Sequence, residues 1–441
     1  MTRVIAHGKI CLTLFMRLNV KTTVPDTPLN YPLTISLGAV FKFGGTSVGS
    51  IERIEHVADL CVKLKPSAVV VSAMSGETNR LIGLAQQITT MHNVPEYDML
   101  VSTGEQVSVS LLSLALRKRG IHPEPMLAAH AGILTNSEFS KASIQKINST
   151  AIHTAIQQGK LPIIAGFQGI TENGHLTSLG RGGSDTSAVA IAAGIGAKEC
   201  VIYTDVDGVY TTDPRMCKNA KIIRHIHYEE MLEMASQGSK VLHIRSVQLA
   251  AKWGIKLMIK NTFSNDKGTT MDILNCPIEG EVVSGIAATQ NESWIQISLP
   301  HSPSFTLANV FGLLAEKHVN VDIITQNIEE NYTKFSFTVT QSDSQNAIEI
   351  LSHYFPRANI KKNDDVAKIS IVGVGMRTHA GVASRMFQSL SAKDIKILLV
   401  STSEIKVACL IPKEKIEEAV QVLHSEFIAT ERKTSFFRAR I

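Results

Sequence analysis

Short apolar runs that end in a glycine-bearing polar turn, each leading into a helix signal, recur from Gly38 to about Val283. Val40–Phe43 runs into Gly44-Gly45-Thr46-Ser47, with a helix expected from about Ile51 to Lys65. Ser67–Ala73 ends in Met74-Ser75-Gly76-Glu77-Thr78-Asn79, before a helix from about Arg80. Thr103-Gly104-Glu105 opens a helix through Ala115, and Leu161–Ala165 is a buried strand followed by Gly166-Phe167-Gln168-Gly169. Thr177–Ser187 is a glycine loop with the small-residue helix Ala188–Ile195 behind it, and Cys200–Thr204 ends in Asp205-Val206-Asp207-Gly208-Val209-Tyr210. Strand, polar loop and helix in this order predict a mostly parallel central sheet between two helical layers, an α/β/α body. Ligands of such sheets gather at the carboxyl ends of the strands, where these turns fall.

The opening turn has the makings of an anion cradle. Two adjacent glycines let backbone N–H groups approach closely, because no Cβ intervenes. Lys42 sits at the strand end, and Thr46, Ser47 and Ser50 are caps for a helix whose N-terminus adds positive potential. The G-x-x-x-x-G-K-[ST] spacing of a P-loop is absent. Taken alone, the stretch reads equally well as an ordinary tight turn.

Beyond Ser284 the pattern changes. Trp294–Leu299 alternates as a half-buried strand, and Thr306–Lys317 is an amphipathic helix with Val310, Leu313 and Leu314 on one face. Val319–Ile324 and Lys334–Thr340 read as strands. The order recurs at Lys368–Val374, Gly381–Lys393, Ile395–Val400 and Glu404–Ile411, with Phe311 matching Phe387 and Leu314 matching Leu390 at a spacing of 76 residues. This is a duplicated βαββαβ, ferredoxin-like unit. Two such units can join sheets edge to edge, which also suggests oligomerisation.

Composition narrows the function classes. The 441 residues carry a formal net charge of +5, but the excess sits at the ends. Residues 1–35 hold Arg3, Lys9, Arg17 and Lys21 against Asp26, and residues 431–441 hold Arg432, Lys433, Arg438 and Arg440 against Glu431. A near-neutral body argues against nucleic-acid binding. The six cysteines form no C-x-x-C, and a reducing cytoplasm is the simplest setting. Apolar runs of about ten residues are too short to span a bilayer, so no membrane role is expected. His225 and His227 lie two apart with no third partner nearby, so no zinc site is expected. Trp253 and Met258 are expected in the core. Residues 1–33 read as an extension outside the folded body, with Met16 an alternative start.

Five loops at one sheet edge carry Lys42, Thr78, Glu105, Arg181, Ser184, Asp185, Asp205, Arg215 and Lys240. Phosphoryl transfer needs such a set, because fixed cations must stabilise charge spread over the moving phosphoryl oxygens. Lys42 and Lys240 suit that role. Arg181 offers a planar fork for a carboxylate, Glu105 a partner for an ammonium, and Asp185 a carboxylate able to pair with two lysines. Asp205 and Asp207 are open to Mg²⁺, to nucleotide hydroxyls or to neither. Singly, each is an ordinary capping or solvated charge; the reading rests on their joint position.

Lys42-Phe-Gly-Gly-Thr-Ser47, Ser72-Ala-Met-Ser-Gly-Glu-Thr-Asn79, Thr103-Gly-Glu105, Leu179-Gly-Arg-Gly-Gly-Ser-Asp-Thr-Ser187, Tyr203 through Arg215 and Gly238-Ser-Lys-Val-Leu242 together resemble the aspartate kinases of the amino acid kinase superfamily. The resemblance covers about residues 38–436, and the tandem repeat is similar to that family's ACT regulatory pair. It implies ATP-dependent phosphorylation of the L-aspartate side chain. Lys42 and Lys240 would steady the phosphoryl group with Asp185 organising them; Thr78, Glu105, Arg181, Ser184 and Asp185 would hold aspartate. Gly44, Gly45 and Ser47 would line the phosphates, with Lys42 beside them, and Thr204, Asp205, Tyr210, Arg215 and Lys240 would surround the nucleotide. Mg²⁺ would travel with ATP, held by phosphate and water.

The implied layout is an extension at 1–36, a kinase domain at 37–284 and ACT units at 292–363 and 366–436. The short Thr78–Glu105 segment and Arg245-Ser-Val match the compact single-function branch, so no fused homoserine dehydrogenase is expected. Val321-Asp322-Ile-Ile-Thr-Gln326-Asn327 is similar to the effector strand of lysine- or threonine-inhibited members, making Asp322, Gln326 and Asn327 the candidate effector residues. Opposite it, His301-Ser-Pro-Ser-Phe-Thr306 departs from the usual glycine-bearing turn, so an ACT pair used only to form a homodimer stays open. The rivals are a sister kinase acting on glutamate, acetylglutamate or a nucleoside monophosphate, and a non-catalytic amino-acid sensor.

Overall fold

Val40-Phe41-Lys42-Phe43 pairs in parallel with a strand on each side, so its residues alternate between two buried faces. Phe41 and Phe43 pack with Val57 and Leu112 on one face, against the helices Ile51–Leu64 and Thr103–Lys118. Val40 lies on the other, with Ala188, Val189 and Ile191 of the helix Gly183–Ile195. Lys42 shares that second face and is the polar residue of an otherwise apolar strand. These facts come from a computed structural model that describes residues 37–237, 241–272, 281–302 and 305–429.

The central sheet has eight strands, in the order His225–Ile226, Thr269–Met271, Lys256–Asn261, Glu199–Thr204, Val40–Phe43, Ala68–Val71, Leu161–Ala165 and Pro123–Met126. All neighbours are parallel except Lys256–Asn261 with Thr269–Met271. Apolar clusters on both faces make the α/β/α layering expected from the alternating signals. A small sheet of four strands, Ile144–Ile147, Ile133–Thr135, Gln168–Ile170 and Leu176–Ser178, lies beside it and feeds the glycine loop at 179–183. The segment Pro95–Lys118 is long and apolar enough by composition to cross a membrane, yet about half of it is buried within the fold. Trp253 departs from expectation: it ends the helix Ile244–Trp253 with over half its surface exposed and Lys252 Nζ 5.9 Å from its ring centre. Met258 is half-buried against the core.

The second half is one six-stranded sheet shared by both copies of the repeat, ordered Ile324–Ile328, Tyr332–Thr340, Gly285–Pro300, Asn359–Val372, Lys406–Pro412, Leu399–Thr402. Its two central strands are long, and each serves both copies. Trp294–Ser298 pairs with Asn359–Asn363 in the first, whereas Gly285–Thr289 pairs with Lys368–Val372 in the second. Register shifts between Thr289 and Trp294 mark the crossing point. The second unit therefore takes an edge strand from residues that precede the first unit in the chain. The strands expected at Val319–Ile324 and Ile395–Val400 begin later, at Ile324 and Leu399, because Val319 and Ile395 instead fill the cores beneath the helices. Thr306 caps the helix Leu307–Glu316, with Val310 and Leu314 buried and Leu313 half-buried.

Polar contacts tie this sheet to the α/β/α body. Glu230 Oε1 accepts from Ser284 Oγ at 2.5 Å and from Val374 N at 2.9 Å, and Ser370 Oγ bonds Gln237 Oε1 at 3.1 Å. At the crossing point Lys368, 3% exposed, meets Glu292 at 2.8 Å and also Asp322. Burial pulls the Lys368 ammonium down, but Glu292 and Asp322 together hold it above its ordinary value. Removing one member of a buried ion pair leaves the other desolvated without compensation, so Lys368→Ala should lower unfolding stability by about 3–5 kcal/mol. Urea titration checks this, and an unchanged midpoint would contradict it.

Candidate active site

Both faces of the sheet send a helix N-terminus to the carboxyl edge of Val40–Phe43 and its neighbours. Gly182, at φ 71°, turns the chain into the helix Gly183–Ile195, placing Ser184 and Asp185 in the first turn. Gly76, at φ 84°, does the same for Glu77–Gln86, which carries Thr78. Positive φ strains any side chain with a Cβ, and at Gly182 a Cβ would also lie 2.3 Å from His243. From the opposite face comes Glu105, in the first turn of Thr103–Lys118.

These elements enclose a cavity of about 360 Å³ lined by Lys42, Gly45, Thr78, Glu105, Arg181, Ser184 and Asp185, together with Ser72, Asn79 and Phe167. Lys42 Nζ lies 2.6 Å from Asp185 Oδ1, both side chains largely buried. The pair joins a strand end to the first turn of a helix distant in sequence. Gly45 leaves no room for a side chain, since a Cβ would lie 2.8 Å from Ala73 O; at Gly44 it would lie 3.5 Å from Lys42 Nζ. Such a cradle, with helix N-termini and a fixed ammonium, fits phosphate oxygens.

Glu105 is the most unusual group in the cavity. It is 2% exposed; Oε1 accepts from Ala73 N at 3.0 Å, and Oε2 is buried with no partner among the described residues. Burial pushes its carboxyl up to about 7, against the pull of the Ala73 and Glu105 backbone N–H groups. An unpartnered buried carboxylate oxygen beside an open cavity is suited to a cationic ligand group.

The other candidate residues divide. Thr204 Oγ1 donates to Asp205 Oδ1 at 3.2 Å, at the end of the strand Glu199–Thr204. Tyr210 is half-buried, and burial with Asp207 nearby raises its hydroxyl pKa. Ser47 is fully buried, bonded to Thr262 Oγ1 at 2.6 Å and to Tyr203 O at 3.4 Å, so its hydroxyl faces inward. Arg215 is exposed and clasps Asp213 at 2.6 Å. Lys240 falls outside the described residues. Asp322 holds Lys368, and Gln326 and Asn327 lie exposed on the edge strand Ile324–Ile328. Among the described residues no group of three or more metal-ligating side chains occurs.

Several residues shape the site through partners that the sequence did not name. Asp207 Oδ1 accepts from Asn261 Nδ2 at 2.9 Å and Ser264 Oγ at 2.7 Å, joining two loops more than fifty residues apart. Phe167, a cavity residue at φ 68°, sits inside the Gly166-Phe167-Gln168-Gly169 turn read from the sequence. Gln168, fully buried, spans Ser102 O and Ala128 N.

The amino acid kinase family model matches residues 39–261, and an ACT domain model matches residues 369–427. The chain is thus a kinase catalytic body with an ACT-bearing second half. It is 48% identical over 401 residues to the aspartokinase of Pseudomonas aeruginosa, covering 88% of this chain and 97% of that protein. Identity to the aspartate kinase of Pseudomonas putida is 46% over 398 residues, with 88% and 97% covered. Escherichia coli aspartokinase III, solved with aspartate and ADP in an R-state, superposes with a TM-score of 0.74 at 26% identity over 88% of this chain and 99% of that one. The T-state with lysine and aspartate gives 0.69 at 27% identity, over 89% and 100%. The chain belongs to the aspartokinase family and is an aspartate kinase, a phosphotransferase whose family uses ATP.

The raised Glu105 pKa links folding to pH. In the unfolded chain a glutamate ionises near 4.3, so the folded, ligand-free protein holds an extra proton between there and about 7. The stabilising contribution is complete at low pH and is lost as pH rises through about 7. Glu105→Gln removes this slope. The ligand-free variant should therefore melt higher than wild type at pH 8 and close to it at pH 5. Thermal melts at both pH values test this, and equal differences at the two would refute it.

Proposed function

We propose that this protein transfers the γ-phosphoryl group of ATP to the side-chain carboxylate of L-aspartate, giving 4-phospho-L-aspartate and ADP. The observation that carries the reading is the cavity in which Glu105, Arg181 and the Lys42–Asp185 pair converge. Ionised Glu105 takes the substrate ammonium on Oε2, and Arg181 takes the α-carboxylate as a planar fork. Thr78 and Ser184, on two helix N-termini, hold the acceptor between them. The acceptor carboxylate is already ionised at neutral pH, so attack on phosphorus needs no general base. A carboxylate oxygen bonds to the γ-phosphorus while the bond to the β-phosphate bridging oxygen breaks. Lys42, kept in place by Asp185, meets the charge on the phosphoryl oxygens, with Lys240 as its partner in that role. Gly44 and Gly45 admit the phosphates; Ser47 supports that turn through Thr262. Thr204, Asp205, Tyr210 and Arg215 surround the nucleotide, Arg215 by leaving its surface pairing with Asp213. Mg²⁺ entering with ATP would supply charge neutralisation on the phosphates.

The reaction is the first step of the aspartate pathway to diaminopimelate and lysine, threonine and methionine. We assign catalysis to residues 37–284 and regulation to ACT units at 292–363 and 366–436, the segment Gly285–Thr289 completing the second unit's sheet. An end-product amino acid, lysine or threonine, binds beside Asp322, Gln326 and Asn327, and protomers associate as a homodimer through these units. The exposed apolar residues Ile324 and Ile328 on an edge strand support that association. The four cysteines among the described residues are buried and free, which fits a cytoplasmic setting.

ADP release with MgATP and L-aspartate, L-glutamate or acetylglutamate tests the reaction. Aspartate-dependent turnover is expected; turnover with another acceptor alone would overturn the assignment. Lys42→Ala and Arg181→Ala should each lose roughly 10²–10³ in rate. The apparent affinity for aspartate should improve as pH rises through about 7, where Glu105 ionises, and Glu105→Gln should abolish that trend. Asp322→Ala or Gln326→Ala should weaken end-product inhibition while uninhibited turnover persists; full inhibition in both would remove the effector assignment.

A further inference from the structure

Asp98 lies outside the catalytic cavity, on the short helix Pro95–Val101, and is fully buried. Its carboxylate takes four hydrogen bonds. Ser178 donates from both N and Oγ at 2.7 Å, and the Ser140 N–H is shared between the two oxygens at 2.9 and 3.0 Å. None of these partners belongs to its own helix, so the carboxylate joins three segments separated by about forty to eighty residues.

Two of the connected segments lead directly to the cavity. Ser178 ends the strand Leu176–Ser178, and only Leu179 and Gly180 stand between it and Arg181. In the other direction the helix of Asp98 closes on Ser102, whose N–H bonds the Asp98 carbonyl at 3.1 Å, and the next helix opens with Glu105 in its first turn. The Arg181 loop contains Gly180, Gly182 and Gly183, two of them at positive φ, and so has little stiffness of its own. Its position depends on its anchors: Ser178 on Asp98, Leu179 N on Phe167 O at 2.8 Å, and Leu179 O on Arg245 Nη1 at 2.5 Å. Of these, only Asp98 is also tied to the Glu105 helix through four residues of continuous backbone.

We propose that Asp98 is a positioning residue that sets the span between Glu105 and Arg181, and thereby the length of amino-dicarboxylate that the cavity accepts. The inference rests on the reading that these two residues hold the ammonium and α-carboxylate of the acceptor. With the span held, the acceptor's ends are fixed and its side-chain carboxylate is delivered at one depth. An added methylene then carries the attacking oxygen off line, whereas a loosened loop tolerates it. Replacing the carboxylate by an amide loosens the loop, because Nδ2 cannot accept from the Ser140 N–H, the Ser178 hydroxyl must turn from donor to acceptor, and the charge that strengthens the remaining bonds is gone.

The test is initial-rate kinetics of the full chain with MgATP and either L-aspartate or L-glutamate, for wild type, Asp98→Asn, Ser178→Ala and Arg181→Ala. Asp98→Asn should raise KM for aspartate ~10–100-fold, leave KM for ATP within about twofold, and narrow the preference for aspartate over glutamate in kcat/KM. Ser178→Ala, which keeps the N–H bond and loses the hydroxyl, should move aspartate KM in the same direction by less, and the double variant should fall short of the product of the single effects. Equal changes in KM for aspartate and ATP, or an unchanged acceptor preference, would show Asp98 to be merely structural and overturn the proposal. Should Asp98→Asn fail to fold, Ser178→Ala decides, an unaltered aspartate KM counting against it. If Arg181→Ala also leaves aspartate KM unmoved, the reading of the cavity falls and the proposal with it; if Arg181→Ala moves it and the Asp98 and Ser178 variants do not, only the proposal falls.

Discussion

The ion pair between Lys42 and Asp185 holds together the candidate active-site cavity. It joins the end of the central strand to the first turn of the helix packed on one face of the sheet. Two largely desolvated charges add little stability compared with apolar residues of similar size, so stability is a poor reason for placing them there. They do fix an ammonium at the sheet edge within the cavity, with its neutralising carboxylate anchored by a helix. Everything else in the cavity is arranged around that point: glycine turns that make room, two helix N-termini, and Glu105 reaching across from the opposite face.

Strain and desolvation are concentrated in the same place. Phe167 adopts φ 68° beside the cavity, a conformation that strains a residue with a Cβ, and Glu105 keeps one oxygen without a partner among the described residues. A rigid surrounding must over-determine such features or they would relax. Asp98, Gln168 and Arg245 supply that rigidity from outside the cavity lining, each bonded to backbone of segments that approach the cavity from different parts of the chain.

The two halves of the molecule are coupled through polar groups as well as apolar ones, Val372 joining the core of the first half and Cys217 that of the second. Glu230 touches Ser284 and Val374, Gln237 touches Ser370, and Thr211 meets His424 at 2.9 Å. Because the central strands of the six-stranded sheet serve both copies of the repeat, a shift in one copy bears on the other along continuous backbone. Lys368 sits where the copies meet and bonds Asp322, itself one of the three candidate effector residues. An amino acid arriving there would compete for a carboxylate already engaged with a buried lysine, a differential contact of the kind that shifts a two-state equilibrium.

Local chemistry made the architecture readable from the chain. The parallel sheet, its glycine turns and the duplicated ferredoxin-like unit follow from apolar periodicity, turn residues and a 76-residue repeat, all short-range properties of sequence. The convergence of Lys42, Thr78, Glu105, Arg181, Ser184 and Asp185 was also legible, because a parallel sheet brings every strand's carboxyl end to one edge. Other features depended on contacts between distant segments and left no local trace. The exposure of Trp253, the inward turn of Ser47 onto Thr262, the shared central strands and the four-way anchoring by Asp98 all belong to this class. A buried aspartate and a surface one look alike in sequence, since burial and hydrogen-bond partners are set by what the rest of the chain packs against them. The sequence by itself determined which elements form and which chemistry gathers at the sheet edge. Tertiary packing alone decided which of those polar groups are desolvated, paired and held at fixed distance.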